Sequence, residues 1–126
     1  MANPKLFVSL PMSGYDDDEV RAAILGIKEF TERMYDREFD LIDTLIEEEP
    51  PDGAIQGAYY LGKSIQKLST ADICVFHPEW KNARGCIIEH MVCAMYDIPY
   101  VELKEEDSSE MEDDNSLDQN SLTLVD

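Results

Sequence analysis

The chain has 126 residues, enough for one domain with a single core and too few for two of ordinary size. Its net charge of −18 argues against a nucleic-acid polymer as partner, because phosphate contacts draw on clustered Lys and Arg that this sequence lacks. No apolar stretch approaches the roughly 20 residues that span a bilayer and no signal-peptide pattern opens the chain, so no membrane partner and a cytosolic setting are expected.

Short apolar runs alternate with longer segments of helical period, the pattern of βαβ units. The expected fold is therefore α/β, a small Rossmann-like or flavodoxin-like parallel sheet flanked by helices, over residues 1–103. The first run, residues 5–10, predicts a strand that Pro11, Ser13 and Gly14 interrupt. Residues 15–34 follow with Val20, Ala23, Ile24, Ile27 and Phe30 spaced for one helical face, behind an acid-rich first turn at residues 16–19. Residues 39–46 predict a second strand, and EEEPPDG a loop. A helix over residues 54–68 leads into a third strand over residues 72–76, whose β-branched and aromatic side chains suit a buried position. After the loop HPEWKNARG, Ile87, Ile88, Met91, Val92 and Met95 predict a helix over residues 86–96, and residues 99–101 a last strand.

Half of the negative charge, −9, falls after Val101, where ten acidic residues face the single Lys104. Residues 104–126 thus read as an acidic tail that cannot bury enough apolar area to offset its ordering entropy, and disorder is expected there. Residues 122–125 are apolar enough to dock onto a neighbour. Cys74, Cys86 and Cys93 sit in apolar or helical stretches without metal-binding spacing, so they read as buried reduced thiols. Cys86 alone falls close to the candidate site, where a helix N-terminus could activate it. No metal or cofactor is expected.

In an open parallel sheet, ligands lie beyond the carboxyl ends of the strands. Two loops qualify. In the first, Pro11-Met12-Ser13-Gly14, glycine permits close backbone approach and Ser13 offers a hydroxyl; alternatively Ser13 caps the following helix. The second carries Trp80, Arg84 and Gly85, with Glu89 beyond it. Indole can stack on a base, guanidinium can clamp an anionic oxygen, and a carboxylate can attack an anomeric carbon; alternatively Trp80 covers the sheet edge, Arg84 is a solvated surface charge and Glu89 is one exposed helix residue among many. Glu89 lies three and four residues after Cys86 and Gly85, which turns it toward the helix start and the loop. His90 follows on another face and reads as a core or surface histidine. Asp72 reads as a group that orients the turn before its strand.

The texts VSLPMSG, LGKSIQKLSTADICVF and PEWKNARGCIIEH resemble the nucleoside 2-deoxyribosyltransferase-like superfamily, in a small branch often carried by phages and prophages. The resemblance spans all but the tail. It implies that Glu89 attacks the anomeric carbon of a nucleoside or nucleoside 5′-monophosphate, forming a covalent glycosyl-enzyme that water or a second base resolves. It also implies that Ser9, Ser13 and Gly14 contact the sugar or a 5′-phosphate, that Trp80 and Arg84 line the same cleft, that a helix N-terminus keeps Glu89 ionised, and that the chain forms a homo-oligomer. One position departs from the pattern. Where characterised relatives carry an aspartate eight residues before Asp72, this chain has Ser64. A hydroxyl cannot replace that carboxylic acid, so either another group such as Asp16 or Glu79 substitutes, or the pocket sequesters a nucleotide or nucleotide signal without turnover. Interaction through the acidic tail is a third class of function.

Overall fold

The computed structural model describes residues 2–105 and the backbone of Leu122–Val125. Strand β1 (Lys5–Ser9) leads into helix α1 (Asp17–Tyr35), strand β2 (Asp40–Leu41), helix α2 (Gln56–Leu68) and strand β3 (Ile73–Phe76). A 3-10 turn at Trp80–Asn82 precedes helix α3 (Arg84–Met95), strand β4 (Tyr100–Leu103) and strand β5 (Leu122–Val125). The sheet runs β2-β1-β3-β4-β5; β5 is antiparallel to β4 and the other pairings are parallel.

Burial on both faces explains why the central strands read as continuous apolar runs. Leu6 and Val8 of β1 join Val75, Val101 and the Val20, Ile24, Ile27 and Phe30 face of α1 in one core. Phe7 of β1 turns the other way and joins Cys74, Phe76, Leu68 and Cys93 beneath α2 and α3. Asp72, just ahead of β3, accepts the backbone N–H of Lys5 at 2.8 Å and so ties the starts of β1 and β3 together.

Helix α1 begins with a complete capping box. The Asp16 carboxylate accepts the Glu19 N–H at 2.8 Å, and the Glu19 carboxylate accepts the Asp16 N–H at 3.0 Å. Asp16 therefore caps this helix and Ser13 does not. Ala23 of the predicted apolar face remains exposed.

The second strand is much shorter than the predicted residues 39–46. Its ladder ends with Ile42 N–H donating to the Leu6 carbonyl at 2.9 Å. The Asp43 carboxylate then accepts the Leu45 N–H at 3.1 Å, a local turn that competes with further pairing. The apolar residues beyond it serve another purpose, described below.

The expectation of disorder over residues 104–126 concerns mainly residues 106–121, which lie outside the described residues. Residues 122–125, singled out for their apolar character, form β5 against β4. Among the described residues no helix is long and apolar enough to cross a membrane.

Candidate functional site

The connection through α1 carries the chain from β1 to β2 on one side, and the connection through α2 brings it back to β3 on the other. The order of strands reverses at β1, and a crevice opens at the carboxyl ends of β1 and β3. A cavity of about 430 Å3 occupies it. Its walls come from the end of β1 and the following Leu10, Pro11 and Met12, from Thr44, Leu45 and Ile46 after β2, from Gly57, Tyr60, Leu61 and Ser64 of α2, and from Ala83, Gly85, Cys86 and Glu89.

Glu89 is 6 % exposed, on the inward series of α3 that also carries Cys86 and Cys93. Both of its carboxylate oxygens are held. Ser9, which faces α3 because Val8 beside it takes the opposite side of the sheet, donates its hydroxyl to Oε1 at 2.6 Å. Ser64 donates to Oε2, also at 2.6 Å. These lengths belong to the range of hydroxyl bonds to ionised carboxylates. Burial nevertheless lifts the Glu89 pKa above its ordinary value, against the lowering effect of the Ser64 and Ser9 hydroxyls.

Because folding raises this pKa, the native state keeps the Glu89 proton to higher pH than the unfolded chain does. The stability this confers is complete below the ordinary carboxylate value of 4.5 and is lost as the pH rises through the native value. The thermal midpoint of the wild type is therefore expected to fall relative to that of Glu89→Gln between pH 4.5 and neutrality. A pH-independent difference between the two would rule out a raised native pKa.

The loop residues divide. Ser9, Pro11, Met12, Ser64 and Gly85 line the cavity with Glu89; Ser13, Gly14, Trp80 and Arg84 do not. Gly14 adopts φ +90°, a conformation that explains the glycine without a ligand. The Trp80 indole stacks on the His90 imidazole, with ring centroids 4.0 Å apart and planes within 4°. His90 in turn meets the Glu102 carboxylate through Nε2 at 2.5 Å. Trp80 thus covers the outer end of the second core and is unavailable to stack on a base in the cavity. Arg84 is exposed.

Cys86 lines the cavity, but burial pushes its thiol up to about 11, assisted by the Glu89 charge and opposed by a bond with Ser9. The helix N-terminus does not yield a reactive thiolate there. Asp16 is committed to its capping box, and Glu79 lines a separate depression with His77 and Tyr15, so neither carboxylate lines the Glu89 cavity. Burial lowers the His77 pKa, against the charges of Glu79 and Glu105. Among the described residues no cluster of three or more His, Cys, Asp or Glu side chains has a metal-binding arrangement.

Thr44, Tyr60 and Leu61 were missed in the sequence. Tyr60 and Leu61 precede Ser64 by four and three residues on α2, so helical spacing from Ser64 would have found them. Thr44 had no local signal, because its position depends on where the chain leaves β2.

Neither α2 nor α3 has a side-chain cap or an acidic residue in its first turn. Gly57 and Gly85, in the first turns of these helices, line the cavity, and a helix N-terminus contributes about 0.3–1 kcal/mol to a nearby negative charge. No family model matches the chain, no curated protein matches its sequence, and no solved structure matches it.

Proposed function

We propose that the protein breaks or exchanges the N-glycosidic bond of a nucleoside or nucleotide, with Glu89 as nucleophile, as members of the nucleoside 2-deoxyribosyltransferase-like superfamily do. One observation supports this above the others: a buried carboxylate on a cavity wall with both oxygens fixed by hydroxyl donors. Each oxygen keeps a second lone pair for attack. In the reaction, a Glu89 oxygen forms a bond to the anomeric carbon as the bond from that carbon to the base breaks. The bonding pair leaves on the base nitrogen, which takes a proton from water. Water or a second base then attacks the same carbon and returns Glu89 as a carboxylate. Ser9 and Ser64 hold the carboxylate in line throughout, and partial desolvation leaves it less shielded for attack.

Incubation with a panel of nucleosides and nucleoside 5′-monophosphates, with free base followed by chromatography, tests the proposal. Base release from at least one substrate is expected, and none from any would remove it. A second reading, sequestration without turnover, draws on Ser64 and on the lack of a second carboxylate among the described lining residues. General acid–base assistance commonly contributes about 10²–10⁴-fold, and here that help is missing. A ligand that raises the thermal midpoint and is recovered intact favours this reading.

The proposed setting is cytosolic, and the proposed assembly is a homo-oligomer built on α3. Its outer face exposes Ile87, Ile88, Met91 and Met95, an uncharged strip on a strongly acidic molecule. Light scattering is expected to give a mass of at least twice 14.4 kDa. A monomeric mass at working concentration would contradict the assembly.

A further inference from the structure

Helix α3 carries Glu89, yet much of the helix is lightly held. Its first turn has no side-chain cap, and its outer strip of Ile87, Ile88, Met91 and Met95 is exposed. Two polar ties grip it from different directions. Ser9 and Ser64 hold the Glu89 carboxylate on one side. On the other, His90 donates from Nε2 to the Glu102 carboxylate of β4, with both side chains mostly buried. A carboxylate has no hydrogen to give, so the imidazole carries one on Nε2.

The same imidazole is a meeting point of several elements. It stacks on Trp80 of the 3-10 turn, and its centroid lies 5.0 Å from that of Phe76 on β3 and 4.7 Å from that of Tyr100 on β4. Apolar packing alone would accept phenylalanine here. A polar ring set against a mostly buried carboxylate carries a desolvation cost that packing does not require. The bond adds direction, because it fixes one atom of α3 relative to β4.

Glu89 and His90 are consecutive, so their side chains leave α3 about 100° apart. Ties in two such directions fix the rotation of the helix about its axis. Side-chain ends lie about 5–6 Å from that axis, so a turn of about 10° displaces the Glu89 carboxylate by about 1 Å. A misplacement of that size can lower a rate by about 10²-fold.

We propose that His90 and Glu102 are positioning residues for Glu89: their bond sets the rotation of α3 and so seats the Glu89 carboxylate between Ser9 and Ser64. The effect on turnover rests on the nucleophile reading above, whereas the seating does not. Neither side chain lines the cavity, so both act through Glu89 and not on the substrate.

The test uses the full chain as wild type, as Glu102→Gln, and as a double variant that combines His90→Phe with Glu102→Met. Glutamine keeps an acceptor for Nε2. The double variant keeps the aromatic stack and the volume, removes the bond and leaves no buried charge unpaired. Apolar replacement of a buried pair is often neutral for stability, so it is expected to melt within a few degrees of the wild type. Glu102→Met alone gives the same readings should the double variant fail to melt cooperatively.

The first reading is independent of activity: the titration of the Glu89 carboxyl carbon by 13C NMR, identified by its absence from Glu89→Gln. Wild type and Glu102→Gln are expected to titrate alike. In the double variant the midpoint is expected to fall towards the ordinary value of 4.5, because burial is the main cause of its rise and a loosened side chain meets the water of the cavity. The second reading is base release from the four common 2′-deoxynucleosides and their 5′-monophosphates. The double variant is expected to lose about 10–100-fold in kcat with KM within about threefold, and Glu102→Gln to stay within about threefold of the wild type in both.

An unmoved Glu89 midpoint in a double variant that melts as the wild type does would overturn the proposal. So would a loss of kcat in Glu102→Gln as large as in the double variant, since the bond is kept there. A lowered midpoint with unchanged kcat supports the seating and removes Glu89 as nucleophile. A lowered midpoint where the wild type itself releases no base supports the seating and removes the glycosyl-transfer reading alone.

Discussion

Replacing Glu89 with Gln is expected to lower turnover by about 10³-fold or more while ligand affinity changes little. The amide keeps the size of the carboxylate, and its oxygen still accepts a hydroxyl bond from Ser9 or Ser64. It loses the charge and the electron pair that attack carbon. A nucleophile contributes in the transition state far more than in the ground state, so kcat falls and the dissociation constant does not follow. A 2-fluoro-substituted nucleoside, which slows breakdown of a glycosyl-enzyme, is expected to leave a mass adduct on the peptide containing Glu89 in the wild type and none in Glu89→Gln. Full turnover in Glu89→Gln would exclude this residue as nucleophile.

The largest expected loss of stability is at Phe76. This side chain is fully buried on β3, with ring centroids 5.6 Å from Trp80, 5.0 Å from His90 and 5.9 Å from Tyr100. Phe76→Ala removes the fully buried member of that aromatic cluster and leaves a cavity, at a cost of about 3–5 kcal/mol. Domains of this size have margins of about 5–15 kcal/mol, so the variant is expected to fold but to melt more than about 10 °C lower. Urea unfolding followed by Trp80 fluorescence checks this. A loss under about 1 kcal/mol would mean that the cluster repacks around the void.

The sheet was legible because β1, β3 and β4 are buried on both faces, which leaves apolar runs that few other arrangements require. Helix α1 was legible from its spacing and acidic start. The over-reading of β2 has a specific cause: Leu45 and Ile46 are apolar in order to line a cavity, and a short apolar run does not reveal which surface it faces. Glu89 was legible from its offset to Gly85 and Cys86. Of the two readings of Trp80, covering the sheet edge is the one the packing favours, for a reason equally local. His90, one residue on and about 100° further round α3, turns from the cavity toward the second core, and the 3-10 turn delivers the indole to it. Proximity in sequence to Glu89 therefore does not bring Trp80 to the cavity wall. Thr44 depends on a crossing between distant segments and left no trace in its neighbours.

The position of β1 inside the sheet bears on how the chain is made. It is synthesised well before its inner partner: Lys5 and Asp72, which join the two strands at their starts, are 67 residues apart. At ribosomal rates of about 5–20 residues per second, Leu6, Phe7 and Val8 wait about 3–13 s before β3 exists to cover them. The two residues of β2 offer little shelter in the meantime. During that interval the nascent chain presents a bare, strongly apolar strand, and Lys5 at its start with Asp16, Asp17, Asp18 and Glu19 downstream are the nearest charges available to discourage one unfinished chain from pairing with the next.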